Sequence, residues 1–432
     1  MLTALASTDS TLTQVVETAI ALVAISCIVA AATRLVRVPY TVALVLTGLG
    51  IAAWGYAPEG AWIRQDVVLM LFLPPLLFQA GLHTDLDHLR KVWLPVLLCA
   101  FPGVILTSVV VALCAWPMVE RGLGGATIPT VLLLGVMLAP TDPISVMSVF
   151  KTAGVPEKLK TMVEGESLFN DGTAVALFGV LKAAGIGTLA AATTYDAPPA
   201  PALDLLAAVF AFVKVAGLGS LIGILTGLGA LFILRRLNDR LLETAVSVAL
   251  AWGTFILAER FHGSGVIAVV CASLIIGNYG RVLSMSRATR RTLESFWDSV
   301  DFIVNSVLFL LIGIELSDPN LGGARQLLDG HVLLTAGLVF AALLAGRAAV
   351  VYPVVVIVKP HWPKGWKHVI WFAGLRGSLS LAMVLGLPEG EVRRFFAPVV
   401  FLVVLASLVL QASSMGLWIK AVRGAEKLNA GS

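Results

Sequence analysis

The chain has 432 residues, of which 58% are hydrophobic and only 13% charged, and its mean hydropathy is +0.93. Soluble domains carry roughly 25% charged and 45–50% apolar residues, so the composition excludes a soluble domain on a single anchor and indicates an all-α polytopic membrane protein. The net charge of +4 does not speak for a nucleic-acid partner, because the basic residues fall in short connections where they serve orientation.

Apolar segments recur at about 13–33, 39–56, 66–81, 92–116, 128–150, 162–182, 203–234, 241–259, 264–279, 296–316, 330–358, 367–387 and 394–418, which predicts thirteen spans. Residues 1–12 carry no Lys or Arg and read as a short extracytoplasmic tail, not a cleaved signal. With the N-terminus outside, the inside connections hold twenty Lys and Arg against seven outside, and Lys214, Arg347 and Arg376 fall within spans. That bias predicts N-out, C-in and a cytosolic tail at 419–432. Cys27, Cys99, Cys114 and Cys271 lie in apolar runs without ligand spacing and read as small hydrophobes. No long hydrophilic stretch remains for a soluble nucleotide- or calcium-sensing domain.

In the second span Gly48 and Gly50 permit close helix contact. In the third, Pro74-Pro75 withdraws backbone donors in mid-segment, and Gln79 follows on the same apolar run. Two readings stand for it: a proline kink with Gln79 bonded to a neighbouring helix, or Gln79 lining an ion path. The fifth span contains Pro140 and Pro143 around Thr141 and Asp142. Two prolines three apart free backbone carbonyls, which is tolerable inside a membrane only where the break lines a cavity or a binding site. Such carbonyls and the Thr141 hydroxyl are hard oxygen ligands for a small cation, while Asp142 offsets the positive end of the following half-helix or reaches the cavity.

The sixth span, VEGESLFNDGTAVALF in its middle, places Ser167, Asn170 and Asp171 at helical spacing. If it begins at Met162, Asp171 lies about 14 Å along the axis, near the middle of a bilayer core of about 30 Å. A lone carboxylate at that depth is costly to leave bare, so holding a proton competes with holding a cation. One group that takes either is the minimum machinery for exchange. Glu166 is equally deep and needs a partner. Gly165, Gly172 and Gly179 recur every seven residues and read as a packing stripe.

The tenth span repeats the shape of the third, with Leu308-Phe309-Leu310 and Gly313 against Leu71-Phe72-Leu73 and Gly81. The offset of seven spans, which the fifth and twelfth share, reverses orientation and indicates inverted repeats. Arg347 lies in the eleventh span. In the twelfth, Gly374, Gly377, Ser378 and Ser380 surround Arg376 and permit a second broken helix, with the guanidinium set against the negative end of its first half.

Ala139-Pro140-Thr141-Asp142-Pro143, Gly165-Glu166-Ser167-Leu168-Phe169-Asn170-Asp171 and Gly374-Leu375-Arg376-Gly377, in this order and in these spans, resemble the NhaP-type monovalent cation/proton antiporters, the branch that includes the eukaryotic sodium/proton exchangers. The resemblance implies an NhaA-like fold of about thirteen helices, built as six-helix inverted repeats with crossed, discontinuous fifth and twelfth helices. It implies a core or transport domain within about 66–182 and 296–418, a dimerisation domain within about 13–91 and 203–316, and a homodimer in the lipid of the plasma membrane working by elevator-like alternating access. Asp171 is then the site where cation and proton compete, Asn170 the neighbour that keeps it in place, and Thr141 and Ser167 sources of cation oxygens. Glu166 matches an acid paired with Arg347, and Arg376 a counter-charge at the helix break. The Asn170-Asp171 pair marks the electroneutral, one-for-one branch. No cofactor and no nucleotide is implied; the transported ions are H+ and Na+, with K+ or Li+ as alternatives.

One position departs from the family pattern: Phe78 is followed by Gln79, where an acid is common. An amide can coordinate through its carbonyl but supplies no charge. Gln79 and Asp142 are further candidate cation ligands. A proton- or sodium-coupled solute symporter of similar broken-helix architecture is the alternative function, disfavoured by the small complement of polar ligands. A channel would need a continuous polar path, which the clustering of polar residues does not provide.

Overall fold

The computed structural model describes residues 2–33, 40–54, 68–142, 146–147, 150, 153–192, 205–237, 239–280, 286–315, 324–358, 365–388 and 390–430, and among them every regular element is helical. The helices are α1 (Leu2–Thr33), α2 (Tyr40–Ala53), α3 (Leu73–His83), α4 (Trp93–Ala100), α5 (Pro102–Leu123), α6 (Ile128–Met137), α7 (Glu157–Ala192) and α8 (Leu205–Leu234). They continue as α9 (Arg240–Arg260), α10 (Gly265–Ile275), α11 (Arg287–Glu315), α12 (Gly330–Val358), α13 (Trp366–Phe372), α14 (Ser378–Leu385), α15 (Glu391–Ala406) and α16 (Ser413–Ala430). Among the described residues, six runs are long and apolar enough to cross a membrane: Trp93–Leu123, Phe210–Leu234, Arg240–Arg260, Arg287–Ile314, Gly330–Val358 and Glu391–Val422. Their outward side chains, such as Leu113, Phe210 and Ile357, are exposed apolar groups of the kind a lipid bilayer covers. The chain is a multi-pass membrane protein.

Several predicted elements take a different form. The segment expected as an N-terminal tail is helical, because α1 starts at Leu2, and α16 likewise runs through the expected cytosolic tail to Ala430. Pro74 and Pro75 do not kink a helix in its middle. They stand in the first turn of α3, directly after a π-turn at Val68–Phe72, so the helical register changes at the residues that lack an N–H. The fourth span is split at Phe101, with Pro102 opening α5, and it ends on Gly124, whose φ of +64° closes the helix in the left-handed conformation. Pro143, the second proline of the fifth span, lies outside the described residues, as do Arg34 and Arg37 of the first connection.

Two sets of helix contacts share one hydrophobic core and meet at a seam. In one, α2 lies along α11, α3 packs on α10, and α8 and α9 cover α10. In the other, α5 lies along α12, α6 sits between α5 and α7, and α14 packs on α15. The seam runs where α7 touches α10 and where α14 touches α11. The first group is fixed by an aromatic nucleus: the Trp297 ring stands 4.6 Å from Phe78 and 6.2 Å from Trp252, and its indole N–H donates to Ser247 Oγ at 3.0 Å. That bond satisfies the one polar atom of a buried tryptophan and joins α9 to α11.

Glycines act here by letting backbones touch. A Cβ on Gly48 would stand 2.9 Å from the Cα of Gly313, so α2 and α11 cross with no side chain between them. Gly50 faces open space. The seven-residue glycine pattern of α7 is no stripe: Gly165 meets Leu89 and Val96, Gly172 meets Ile267, and Gly179 has nothing within 4 Å. Drift of a 3.6-residue period against a seven-residue repeat turns Gly179 off the contact. Replacing Gly313 by Val is expected to destabilise the protein by about 1–3 kcal/mol through overpacking, read as a lowered thermal midpoint in detergent. Gly50→Val, measured alongside, should leave the midpoint within error, and equal effects at the two positions would contradict the backbone contact.

Candidate ion-exchange site

Two interrupted helices meet at the seam. The first interruption follows α6, where Leu138 makes the last bond to Leu134 and the chain runs without helix through Asp142. The second separates α13 from α14, over Ala373 to Gly377. They are stitched directly, for the Asp142 N–H donates to the Leu375 carbonyl at 2.7 Å. The contact is close enough that a Cβ on Gly377 would stand 2.6 Å from the Asp142 Cβ. Glycine is required there because the partner strand's side chain occupies the space.

Each interruption leaves carbonyls at a helix C-terminus, and each set is answered by an arginine from elsewhere. Arg376 Nη1 donates to the carbonyls of Ala139 and Pro140, the latter at 3.1 Å. This differs from the sequence expectation, which set Arg376 against its own half-helix. The end of α13 is instead held by Arg347, whose Nε donates to Trp371 O at 2.9 Å and whose Nη2 donates to Ile370 O at 3.0 Å. Gln411 Nε2 adds a bond to Phe372 O at 3.2 Å. The same Arg347 grips Glu166 with both terminal nitrogens, at 2.6 and 3.1 Å. Glu166 and Arg347 are 3% and 6% exposed, so this is a bidentate ion pair out of reach of water.

α7 presents two faces. Glu166 and Asn170, one turn apart, look toward α5, α12 and the ion pair, around a small cavity of about 20 Å³. Ser167 and Asp171, also one turn apart, line a much larger cavity of about 650 Å³ at the seam. Sequence spacing had put Ser167, Asn170 and Asp171 on one face; the helix divides them. Asn170 Nδ2 donates to Thr141 Oγ1 at 2.8 Å, and Ser167 Oγ donates to the Thr141 carbonyl. Asn170 therefore pins the interruption beside Asp171 and makes no hydrogen bond to Asp171 itself. Both bonds stretch between α7 and the break, so Thr141 is held against Asp171 from two sides.

Asp171 Oδ1 is buried and has no hydrogen-bond partner among the described residues. A buried anionic oxygen in that condition is stabilised only by a proton or a cation. Around the cavity stand Asp142, Glu164, Asp298 and Asp301 besides Asp171, with His83 and, among the described residues, no lysine or arginine. Gln79 is both bonded to a neighbouring helix and on the cavity wall: its Nε2 donates to Asp298 Oδ1 at 3.3 Å. Among the described residues no three His, Cys, Asp or Glu side chains gather as a metal site.

The acids of α11 escaped the sequence reading. Asp298, Asp301 and Asn305 recur at helical spacing within an apolar span, the same signal that singled out Asp171. Lys214, the remaining basic residue within a span, is exposed on α8.

The family model described as "Sodium/hydrogen exchanger, transmembrane" matches residues 20–421. The Na(+)/H(+) antiporter NhaH of Halobacillus dabanensis is 36% identical over 404 residues, covering 91% of this chain and 94% of its own. The Na(+)/H(+) antiporter ApNhaP of Aphanothece halophytica is 34% identical over 384 residues, 88% of this chain and 68% of its own. Among solved structures, the sodium proton antiporter MjNhaP1 of Methanocaldococcus jannaschii superposes with a TM-score of 0.72 over 95% of this chain and 99% of its own, at 17% identity, a likeness of fold.

Removing one partner of the buried pair strands the other charge, at a cost of about 3–5 kcal/mol. Arg347→Met also releases the carbonyls of Ile370 and Trp371, so it should lower the thermal midpoint further than Glu166→Gln. Equal losses in the two variants would remove Arg347 from its capping role.

Proposed function

Because this chain belongs to the transmembrane sodium/hydrogen exchanger family, carrying out secondary active exchange of a cation for H+ across a membrane, we propose that Asp171 is the group that holds either ion. The observation that carries this reading is its unpartnered buried oxygen, set where two helix interruptions meet on the wall of an acidic cavity. A bare carboxylate there is too costly to cross the membrane empty. It must leave one side with a cation or a proton and return with the other, and this is what couples the two fluxes. The Thr141 break and Ser167 supply neutral oxygens around the bound cation. Asn170 is an amide, so one carboxylate trades charge and the exchange is electroneutral, one cation for one proton.

The proposed cation is Na+, with K+ and Li+ as competitors. Movement is elevator-like. The helices around α5, α6, α7, α12 and α14 form the transport unit, carried against a dimerisation unit that includes α2, α3, α10 and α11. Support comes from the seam, which divides the cavity between these two groups, and from the arginine bonds, which tie both interruptions into one body. The fuller arrangement is thirteen spans in inverted repeats, a homodimer in the plasma membrane, N-terminus outside and C-terminus in the cytosol.

In proteoliposomes carrying an interior pH dye, outward gradients of Na+, K+ or Li+ should drive proton movement the other way, insensitive to a clamped membrane potential and lost in Asp171→Asn. Transport surviving in that variant would make Asp171 structural. A wild type that answers no monovalent cation would bring the coupled solute symporter forward.

A further inference from the structure

The cavity wall facing Asp171 is built by α3 and α11, and its parts are unequal. α3 contributes Gln79, a neutral amide already donating to Asp298 Oδ1 at 3.3 Å. Asp298 also lies 3.5 Å from His83 Nε2, and its side chain is 59% exposed, so its charge is shared and screened by water. Asp301 stands one turn further along α11 and is only partly exposed. Its Oδ1 accepts from Asn305 Nδ2 at 2.9 Å, while Asn305 Oδ1 accepts from Ser378 Oγ at 2.8 Å. Ser378 opens α14 directly after Gly377, against which the Asp142 side chain rests. Two hydrogen bonds thus fix the Asp301 carboxylate relative to the meeting point of the interruptions, from the opposite side of the seam.

A structural aspartate in such a place would be neutralised by a basic partner. Among the described residues Asp301 has none: the charges acting on it are those of Asp142 and Asp298, both negative, the one basic side chain on the cavity wall is His83, which faces Asp298, and no described lysine or arginine lines the cavity. Within the same cavity Asp171 Oδ1 is buried without a partner, which points independently to a ligand there. A cation between the two walls relieves both conditions at once, and from the α3–α11 wall only Asp301 offers a charge that is neither shared nor widely exposed.

We infer that Asp301 is a cation ligand and selectivity determinant of the exchange cavity, holding a monovalent cation from the wall opposite Asp171. This rests on the exchange reading above. Two carboxylates around a confined cation make a high-field site, which offsets the dehydration of Na+ or Li+ better than a single one does and so favours the smaller ions over K+.

The test is apparent KM for Na+ and for K+ in proteoliposomes with wild type, Asp301→Asn and Asp301→Glu. Asp301→Asn should raise KM for Na+ by about tenfold, with less effect on maximal rate and a narrowed Na+ over K+ preference; Asp301→Glu should recover most of the loss. In parallel, thermal unfolding of the purified proteins is titrated with Na+ alone. The Asn variant should need about tenfold more Na+ for the same stabilisation, a readout that a variant failing to transport still provides. Wild-type exchange with unchanged KM and unchanged Na+ titration in Asp301→Asn overturns this inference alone, since a carboxyl that stays protonated is well mimicked by the amide. Absence of any cation-driven flux in wild type overturns the exchange reading, and this inference with it.

Discussion

Everything at the seam depends on the cost of free backbone carbonyls in a medium without water. Two helices stop within the membrane, and each exposes a C-terminal end whose partial negative charge must be met. Arg376 meets the first from the other interrupted segment, and Arg347 meets the second from α12. A guanidinium suits this work because its planar fork reaches several acceptors at once and keeps its proton. The charges brought in this way need their own balance. Glu166 supplies it for Arg347, and the interrupted α6 does so for Arg376 through dipoles. The result is a block in which α6, α7, α12, α13 and α14 are cross-linked by polar bonds far stiffer than lipid-like packing.

This block leaves Asp171 outside its hydrogen bonds. The cations of the site are spent on carbonyls and on Glu166, on the face of α7 turned away from the large cavity. Asp171, one residue after Asn170, turns the other way and meets acids. Neighbouring negative charge would be a fault in a static structure, and under the exchange we propose it suits a site that attracts cations. The opposite wall, held by the Phe78–Trp297 nucleus, carries its own acids on a separate group of helices. The cavity is thus bordered by acids from both sets of helices, those on α7 and those on α11.

Much of this was legible beforehand, unevenly and for identifiable reasons. Pro140 breaks α6 whatever surrounds it, since the missing donor is a covalent fact. The glycines around Arg376 marked the second break in the same way, and together with the Asn170-Asp171 pair they were enough to name the family. Proline alone did not say whether a helix bends or begins: Pro74 and Pro75 start α3. Helical spacing proved too coarse by one residue at Asn170, because Ser167, Asn170 and Asp171 span an arc wide enough for two neighbours to share. Asp298 and Asp301 were visible as polar residues in an apolar span, but nothing along the chain says that α11 faces α7.

By itself, then, the sequence determined the membrane class, through composition, and the places where helices stop, through Pro140 and the Gly374-to-Gly377 stretch; the depth of Asp171 it did not, because α7 begins at Glu157 and not at Met162. The first two are properties of one segment at a time, set by covalent geometry and by the price of polarity in lipid. Tertiary structure alone decided who answers whom. Arg376 was free to serve its own half-helix and instead reaches carbonyls 236 and 237 positions away, while Asn170 holds Thr141 rather than Asp171. Such choices belong to the packing of helices, because a hydrogen-bonding group selects its partner by distance and direction, and the chain fixes those only after it has folded.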